Sequence, residues 1–567
     1  MAFGSLPKEV LQQIIFSQSH SPRELRNYSL VSRIFSHVAR EALYKNIDLT
    51  FDERGDEDTD EKTAQRQLLL LTSIASYTYI SANVRTFMNF RPWQVGYMQD
   101  VTSDTREGVA EIVVQAARNM IYLTKASFVE NPLAIEVVDN LSTYSRLTDL
   151  TIEGFKPEEH IWQPNLTALK RLHWTSPVRN GDQRNPPHTA SFLIKVVQST
   201  CPALESLDIS LLRLSGFILE RLERPALSMA QYEHSKISEA PTLTNLRHFG
   251  LTYQDAYVAE QIELDAMIIH FVTKYSRTLK SVSLPINRGT VTLETSNFIR
   301  KVCAALPCLT ELSLVETTCS RGGGQGITGL EFLEELTSAL ASPNREIERF
   351  SMENMKESFS PDIGRLFASW GSLKFLRLGD IDAEFGRYVN DGRLDFNSYA
   401  PEILGFIIAL PQSLQELYLT INGFDIFIQD TDFDFICTFA FRIFNILVKL
   451  HTCDIHAWVS NMHEGLGSIP HSAVFYRRLP SSTSTTGIQS KELWTSRMDC
   501  GYQGSYPRVT KWSEIVEGDF EGEDAEEVWL GGYKNEGGWQ DVDVDYSWPG
   551  WVNKLDNYPM FRRNMWK

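Results

Sequence analysis

A short phrase recurs through the middle of the sequence and restricts the folds open to it: an apolar residue, two of any kind, an apolar residue, one of any kind, and a third apolar residue. Nine copies are clear: Leu147-Leu150-Ile152, Leu169-Leu172-Trp174, Leu204-Leu207-Ile209, Leu246-Phe249-Leu251, Leu279-Val282-Leu284, Leu309-Leu312-Leu314, Ile347-Phe350-Met352, Leu373-Leu376-Leu378 and Leu414-Leu417-Leu419. Weaker copies begin at Val84, Met120 and Leu447. The last two apolar positions alternate, so they point to one face of a short strand, and the first covers the strand's entry. One such strand cannot hide that face alone. Neighbouring copies must stack, and the repeated phrase then becomes a continuous core.

Between the copies lie stretches with helical periodicity, among them Ala190–Gln198, Glu260–Tyr275, Ser296–Ala305 and Leu330–Leu340. Alternating strand and helix predicts an α/β array of parallel strands. The phrase resembles that of leucine-rich-repeat proteins. That resemblance implies a solenoid over residues 81–476, with strands on its concave face and helices outside. From position 147 the copies start 22, 35, 42, 33, 30, 38, 26 and 41 residues apart, wider than the ~20–29 of regular leucine-rich repeats. Extra loops at Val178–His188 and Arg221–Pro241, and an insertion at Ala383–Tyr399, account for part of the excess. The non-apolar strand positions are expected to line the concave face and bind a target protein. They are Asp149, Thr151, Glu153, Arg171, His173, Ser206, Asp208, Ser210, Glu311, Ser313, Arg349, Glu353, Arg377, Glu416 and Tyr418. Singly, each needs no role beyond contact with water.

Residues 1–50 read as three short helices. Pro7 suits a first helical turn, and Val10, Leu11, Ile14 and Ile15 form an apolar face behind it. Ser21-Pro22-Arg23-Glu24 is a capping box with proline at the first helical position. Ile34, Phe35, Val38, Ala39, Ala42 and Leu43 then keep helical spacing, and Ile47 and Leu49 alternate as a strand would. The stretch Leu6–Leu49 lies near the ~40-residue limit for unaided folding, yet it carries more large apolar side chains than three short helices can hide. Part of that surface is expected to be covered, by the rest of the chain or by a partner.

Leu6-Pro7-Lys8-Glu9-Val10-Leu11, Ile14-Ile15, Ser29-Leu30-Val31-Ser32-Arg33-Ile34-Phe35 and Ala39-Arg40-Glu41-Ala42-Leu43-Tyr44-Lys45-Asn46-Ile47 resemble an F-box of the fungal type. With the repeats behind it, the chain looks like a fungal F-box protein with degenerate leucine-rich repeats. In that family the helices dock onto the Skp adaptor of SCF (cullin–RING) ubiquitin ligases. The resemblance implies that Leu6, Pro7, Glu9, Ile14, Leu30, Val31, Phe35 and Leu43 form or support the docking surface. Phe35 stands where many animal members carry tryptophan.

Residues 51–80 read as an acidic loop, Asp52–Glu61, and a connecting helix, Thr63–Tyr79. Residues 477–567 lack the phrase but hold seven of the chain's twelve tryptophans. Between 513 and 545 twelve acids face Lys534 alone, and they supply most of the net charge of -18. Disordered segments are poor in aromatics, so this acidic, tryptophan-rich segment is expected to cap the last repeat or to grip a basic partner as an arm.

The acidic balance argues against nucleic acid as a partner. No run nears the ~20 apolar residues of a membrane span, and Lys8 and Glu9 interrupt the place of a signal sequence. Seven scattered cysteines suit a reducing compartment, cytoplasm or nucleus. Gly324-Gln325-Gly326-Ile327-Thr328-Gly329 fits a dinucleotide fingerprint, but a long loop separates it from the strand ending at Leu314, and the fingerprint should follow its strand directly. His451, Cys453, His456 and His463 are the only cluster with metal-type donors, and no second cysteine pair completes them. Asp541, Asp543 and Asp545 lack the glycine and glutamate of a calcium loop. A nucleophile and base distant in sequence would leave no motif. The expectation is a non-enzymatic adaptor without cofactor, which joins the Skp adaptor and its cullin–RING ligase to an unknown protein target. A scaffold that does not direct degradation is the alternative, and a nucleotide-dependent enzyme a remote one.

Overall fold

The computed structural model describes residues 8–17, 22–49, 57–90, 111–112, 114–128, 144–153, 166–175, 194, 197–198, 200–211, 243–253, 258–287, 291–317, 326–341, 345–353, 360–382, 401–424, 443–444, 446–460, 468–477, 493–498 and 508–512. The chain divides into two units. One comprises Met1–Leu43, His451–Asp454 and His471–Lys567; the other comprises Tyr44–Leu450 and Ile455–Pro470.

The first unit opens with three helices, α1 (Lys8–Ser17), α2 (Pro22–Tyr28) and α3 (Arg33–Lys45). Ser32 starts α3, its hydroxyl accepting from the Phe35 N–H at 3.3 Å. Phe35, Val38 and Ala39 recur on one side of α3 and are buried. With Leu11, Ile15 and Leu25 they make a small core, against which Tyr28, Ala42 and Leu43 pack.

The second unit is a parallel sheet laid down in chain order. Its strands are β1 (Asn46–Asp48), β2 (Thr86–Phe90), β3 (Lys125–Phe128), β4 (Asp149–Glu153), β5 (Arg171–Thr175), β6 (Ser206–Leu211), β7 (His248–Tyr253), β8 (Ser281–Asn287), β10 (Glu311–Thr317), β12 (Arg349–Met352), β13 (Phe375–Asp382) and β14 (Glu416–Phe424). β15 (Thr452–Ser460) follows β14 in that order. Two small strands, β9 (Val291–Thr292) and β11 (Gly326–Ile327), pair antiparallel apart from the main sheet. All nine clear copies of the phrase run into a strand, β4 to β8, β10 and β12 to β14.

A backbone contact locks the register at each step. The carbonyl just before one strand accepts two N–H groups from the next repeat: Lys170 from Glu205 and Ser206, Arg247 from Lys280 and Ser281, Lys280 from Thr310 and Glu311. Along the sheet the second strand position, Leu150, Leu172, Leu207, Phe249, Val282, Leu312, Phe350, Leu376 and Leu417, forms one buried row. Helices α6 (Val258–Lys274), α7 (Leu293–Ala305), α8 (Gly329–Leu340), α9 (Pro361–Ala368) and α10 (Pro401–Ala409) pack on one another in sequence order. Phe249 meets Phe271 of α6 at 4.4 Å between ring centroids, and Phe350 meets Phe367 of α9 at 5.5 Å. The other strand face points away from the helices.

The phrase has a fourth apolar position that the sequence reading left out. Three residues before the first leucine, Met120, Tyr144, Leu166, Cys201, Leu243, Leu306, Trp370 and Leu447 are buried. Their carbonyls close a tight turn, as where the Leu169 N–H donates to Leu166 and the Leu309 N–H to Leu306. The weak copies expected to begin at Met120 and Leu447 are therefore framed three residues early. In the true frame Leu123-Ala126-Phe128 and Leu450-Cys453-Ile455 are ordinary repeats.

Two expectations need further correction. Helix α4 (Glu57–Ser76) starts inside the proposed acidic loop, because Glu57, Asp58, Asp60 and Glu61 suit the positive end of a helix. It stops before Tyr77, and α5 (Thr78–Ser81) follows. The parallel order also does not extend to residue 476. β16 (Ser468–Arg477), β17 (Leu493–Met498) and β18 (Arg508–Trp512) form an antiparallel meander. Trp494 and Trp512 lie on its strands; the other five tryptophans of the tail fall outside the described residues.

Candidate functional site

The α1–α3 core leaves one apolar set outside. Leu30 is 81% exposed, Val31 63%, Ile34 42% and Val10 37%. Leu30 and Val31 occupy the turn between α2 and α3, fixed by N–H donation to Asn27 at 3.0 Å and to Tyr28 at 3.1 Å. Ile34 precedes the inward stripe of α3 by one position and so faces out. Leu30, Val31 and Ile34 fall close together in the chain, and large apolar side chains bared together in this way mark an interaction site. Of the residues implied by resemblance, Leu30 and Val31 present themselves to solvent. Phe35 does not: it sits in the core, 9% exposed, and its part is to hold the helices together. Leu43 packs against the same core. Glu9 and Ile14 lie on α1, while Leu6 and Pro7 fall outside the described residues. Val10 and Ile34 were missed, because a helical stripe shows which residues share a face but not where the face stops.

On the sheet, the residues expected on the target-binding face alternate with the buried row along their strands; the Glu153 side chain falls outside the described residues. Asp149, Thr151 and Glu153 lie on β4, Arg171 and His173 on β5, and Ser206, Asp208 and Ser210 on β6. Glu311 and Ser313 follow on β10, Arg349 on β12 with Glu353 just after it, Arg377 on β13, and Glu416 and Tyr418 on β14. Much of the charge there is already paired. Arg171 bonds Asp149. Arg349 lies 3.6 Å from Glu311 and 3.7 Å from Glu416, with its guanidinium 3.9 Å above the Phe375 ring. Glu353 accepts from the Glu316 N–H at 2.9 Å and so ties β10 to the residue after β12. Tyr418 is a correction to its expected role as presented surface: it is 5% exposed, its ring 5.1 Å from Phe375.

The same face carries residues that the sequence reading passed over: Thr175, His248, Gly250, Thr252, Ser281, Ser283, Ser351 and Phe375. The signal was present, since β7 and β8 contain the phrase, but only their apolar positions had been read.

Two of these side chains, His248 and Ser281, form a row with Asp208 across β6, β7 and β8. His248 Nε2 lies 2.8 Å from Asp208 Oδ1, and its Nδ1 lies 2.7 Å from Ser281 Oγ. Ser206 reaches the second Asp208 oxygen at 3.4 Å. A Cβ on Gly250 would stand 2.3 Å from Asp208 Oδ1, so only glycine leaves the carboxylate its place. Burial penalises both charges of the pair. For Asp208 the charge and hydrogen bond of His248 outweigh that penalty and hold the carboxyl below its usual range. For His248, Asp208 and then Glu311 raise the imidazole above its usual value. His173 is the opposite case, lowered by burial first, with Asp208 opposing and His248 adding to the fall.

Other candidates for chemistry fare poorly. Gly326 and Ile327 form β11 themselves, and Thr328 with Glu331 makes the capping box of α8, so the described part of that stretch is a short strand and a helix start. Gly324 falls outside the described residues, as do His463, Asp541, Asp543 and Asp545. His451 bonds Thr452 at 3.0 Å, and Cys453 is buried with its thiol pushed well up, by burial first and then by Asp454. Burial also raises Cys303, to about 12. Among the described residues no group of three or more His, Cys, Asp or Glu could hold a metal ion. None of the described helices is long and apolar enough to cross a membrane.

Comparison with known proteins finds an F-box-like domain model matching residues 3–50. No curated protein matches the chain. Among solved structures, an internalin (InlF) from Listeria monocytogenes is similar at 13% identity and a TM-score of 0.23, covering 64% of this chain and 91% of its own. The parallel ladder itself, not that likeness, carries the fold. The chain thus has an F-box-like domain at its N-terminus and a leucine-rich-repeat-like parallel sheet behind it.

Proposed function

We propose that this chain is the target-recognition subunit of an SCF-type ubiquitin ligase. It holds the Skp adaptor through the exposed Val10, Leu30, Val31 and Ile34 and a protein target through the open sheet face. The observation that carries the reading is Leu30 and Val31, largely exposed at the one turn that the F-box-like match spans between its second and third helices. F-box domains generally bind this adaptor, and burying such side chains yields ~1.5–3 kcal/mol each. No catalytic group is needed: tethering raises the concentration of target lysines near a ubiquitin-charged enzyme. The charge pairing on the open face points to recognition by hydrogen bonds and shape over net charge.

The experiment compares the full chain with its Leu30→Asp variant in cells. Partners captured by both should be more abundant, and longer-lived, with the variant. Equal lifetimes would remove the degradation role and leave an F-box scaffold.

A further inference from the structure

We propose that Ser281 is an activated nucleophile, an acyl acceptor for thioesters and activated esters, with His248 as its general base and Asp208 as the group that positions the base. Asp208, His248 and Ser281 are 40 and 33 residues apart in sequence, so no motif announces them. The parallel register sets His248 opposite Ser281 and between Ser206 and Ser281, with Asp208 two residues further along β6, opposite Gly250, and the His248 ring reaches it diagonally.

The proton positions follow from the partners. An ionised carboxylate only accepts, so His248 Nε2 carries the hydrogen shared with Asp208 at 2.8 Å. In the neutral ring Nδ1 is then a lone pair, and at 2.7 Å it must accept from the Ser281 hydroxyl. Nucleophile, base and orienting carboxylate within hydrogen-bond reach of each other are the arrangement that activates a serine. Asp208 is itself held, by Ser206 at 3.4 Å and by the space that Gly250 leaves. Ser281 is half-buried on the open face, within reach of a small electrophile.

The substrate class follows from what the strand withholds. The Lys280 and Ser281 N–H groups both donate to the Arg247 carbonyl, so the amides beside the nucleophile cannot cradle an oxyanion. An acyl donor must therefore bring its own good leaving group. In the transfer the Ser281 Oγ–carbon bond forms and the thioester carbon–sulfur bond breaks. The hydroxyl proton passes to His248 Nδ1 and on to the departing thiolate. Water later returns the free serine and the carboxylic acid.

The test treats the full chain with p-nitrophenyl acetate and maps acetylation by mass spectrometry. Ser313, half-buried on the same face in the neighbouring strand, is the internal reference. General-base assistance predicts that Ser281 is acetylated ~100-fold faster than Ser313. The rate should rise with pH as His248 loses its proton, with a midpoint above the ordinary imidazole value of about 6.5. His248→Gln should abolish the pH dependence. Asp208→Asn should move the midpoint down and slow the reaction, and Glu311→Gln should also lower the midpoint. Equal labelling of Ser281 and Ser313, or a rate indifferent to His248→Gln, would overturn the proposal. The Ser281/Ser313 ratio is read within the parent protein, so it decides the matter even where a variant fails to fold.

Discussion

Leu30 and Phe35 are five residues apart and act in opposite ways. Leu30 is almost bare, while Phe35 closes a core whose ring neighbour Tyr28 lies 6.5 Å away. Phe35→Ala should destabilise the helical unit by about 3–5 kcal/mol, read as an earlier unfolding step, and should weaken adaptor binding only through that loss. Leu30→Asp should leave melting within about 0.5 kcal/mol of the parent yet cost the complex at least ~2 kcal/mol as an interface anchor. The Asp208–His248 pair has a definite pH signature. The raised His248 contributes stability that is full below its unfolded value and lost as pH climbs through the folded one. The lowered Asp208 contributes above its unfolded value and loses that contribution on acidification. Both are present together from about pH 4 to 6.5. Denaturant titrations across pH should therefore show His248→Gln losing the decline in stability that the parent shows above about pH 6.5. His173, lowered by burial, acts on the other side of that value and costs stability as pH falls below about 6.5, so the difference between the two curves is the informative quantity. Gly250→Ala should drive the Asp208 side chain aside and lower the His248 pKa, measurable by NMR titration.

At the scale of elements, period and spacing made the strands legible, because two alternating apolar residues behind a third leave few other solutions. The fourth buried position was harder to see. Its occupants are as unlike as Trp370, Cys201 and Tyr144, since a turn that closes over a core asks for bulk and not for one residue type. The exposed side of α3 was illegible for a related reason: Ile34 and Phe35 are both large and apolar, and only the packing of α1 and α2 decides between them. The Asp208–His248–Ser281 row could not be read at all, because its members meet only once the register of three strands is fixed. Close helix packing gives an independent test of the repeat layer. A Cβ on Gly364 of α9 would stand 2.6 Å from the Phe406 carbonyl oxygen and 2.7 Å from the Ala409 Cβ of α10. Gly364→Leu must push the two helices apart, at about 1–3 kcal/mol or more, seen as a lower midpoint in chemical denaturation.

The whole molecule carries two surfaces of different chemistry: an apolar turn on a small helical unit, and a polar, largely charge-paired sheet face in the repeat unit. The net charge of -18 is concentrated in the C-terminal segment, so ionic strength should act weakly on capture at the open face, where Arg171 and Arg349 already have carboxylate partners. The same salt titration tests whether the acidic segment grips a basic partner: such a partner would be released as salt rises. The proposed recognition role depends on the helical unit binding the Skp adaptor. Calorimetric titration of recombinant Skp adaptor into the full chain, beside Leu30→Asp, measures this directly. The account predicts one-to-one binding by the parent and at least a ~30-fold weaker affinity for the variant. An adaptor that ignores the parent chain, or binds both proteins alike, would contradict it.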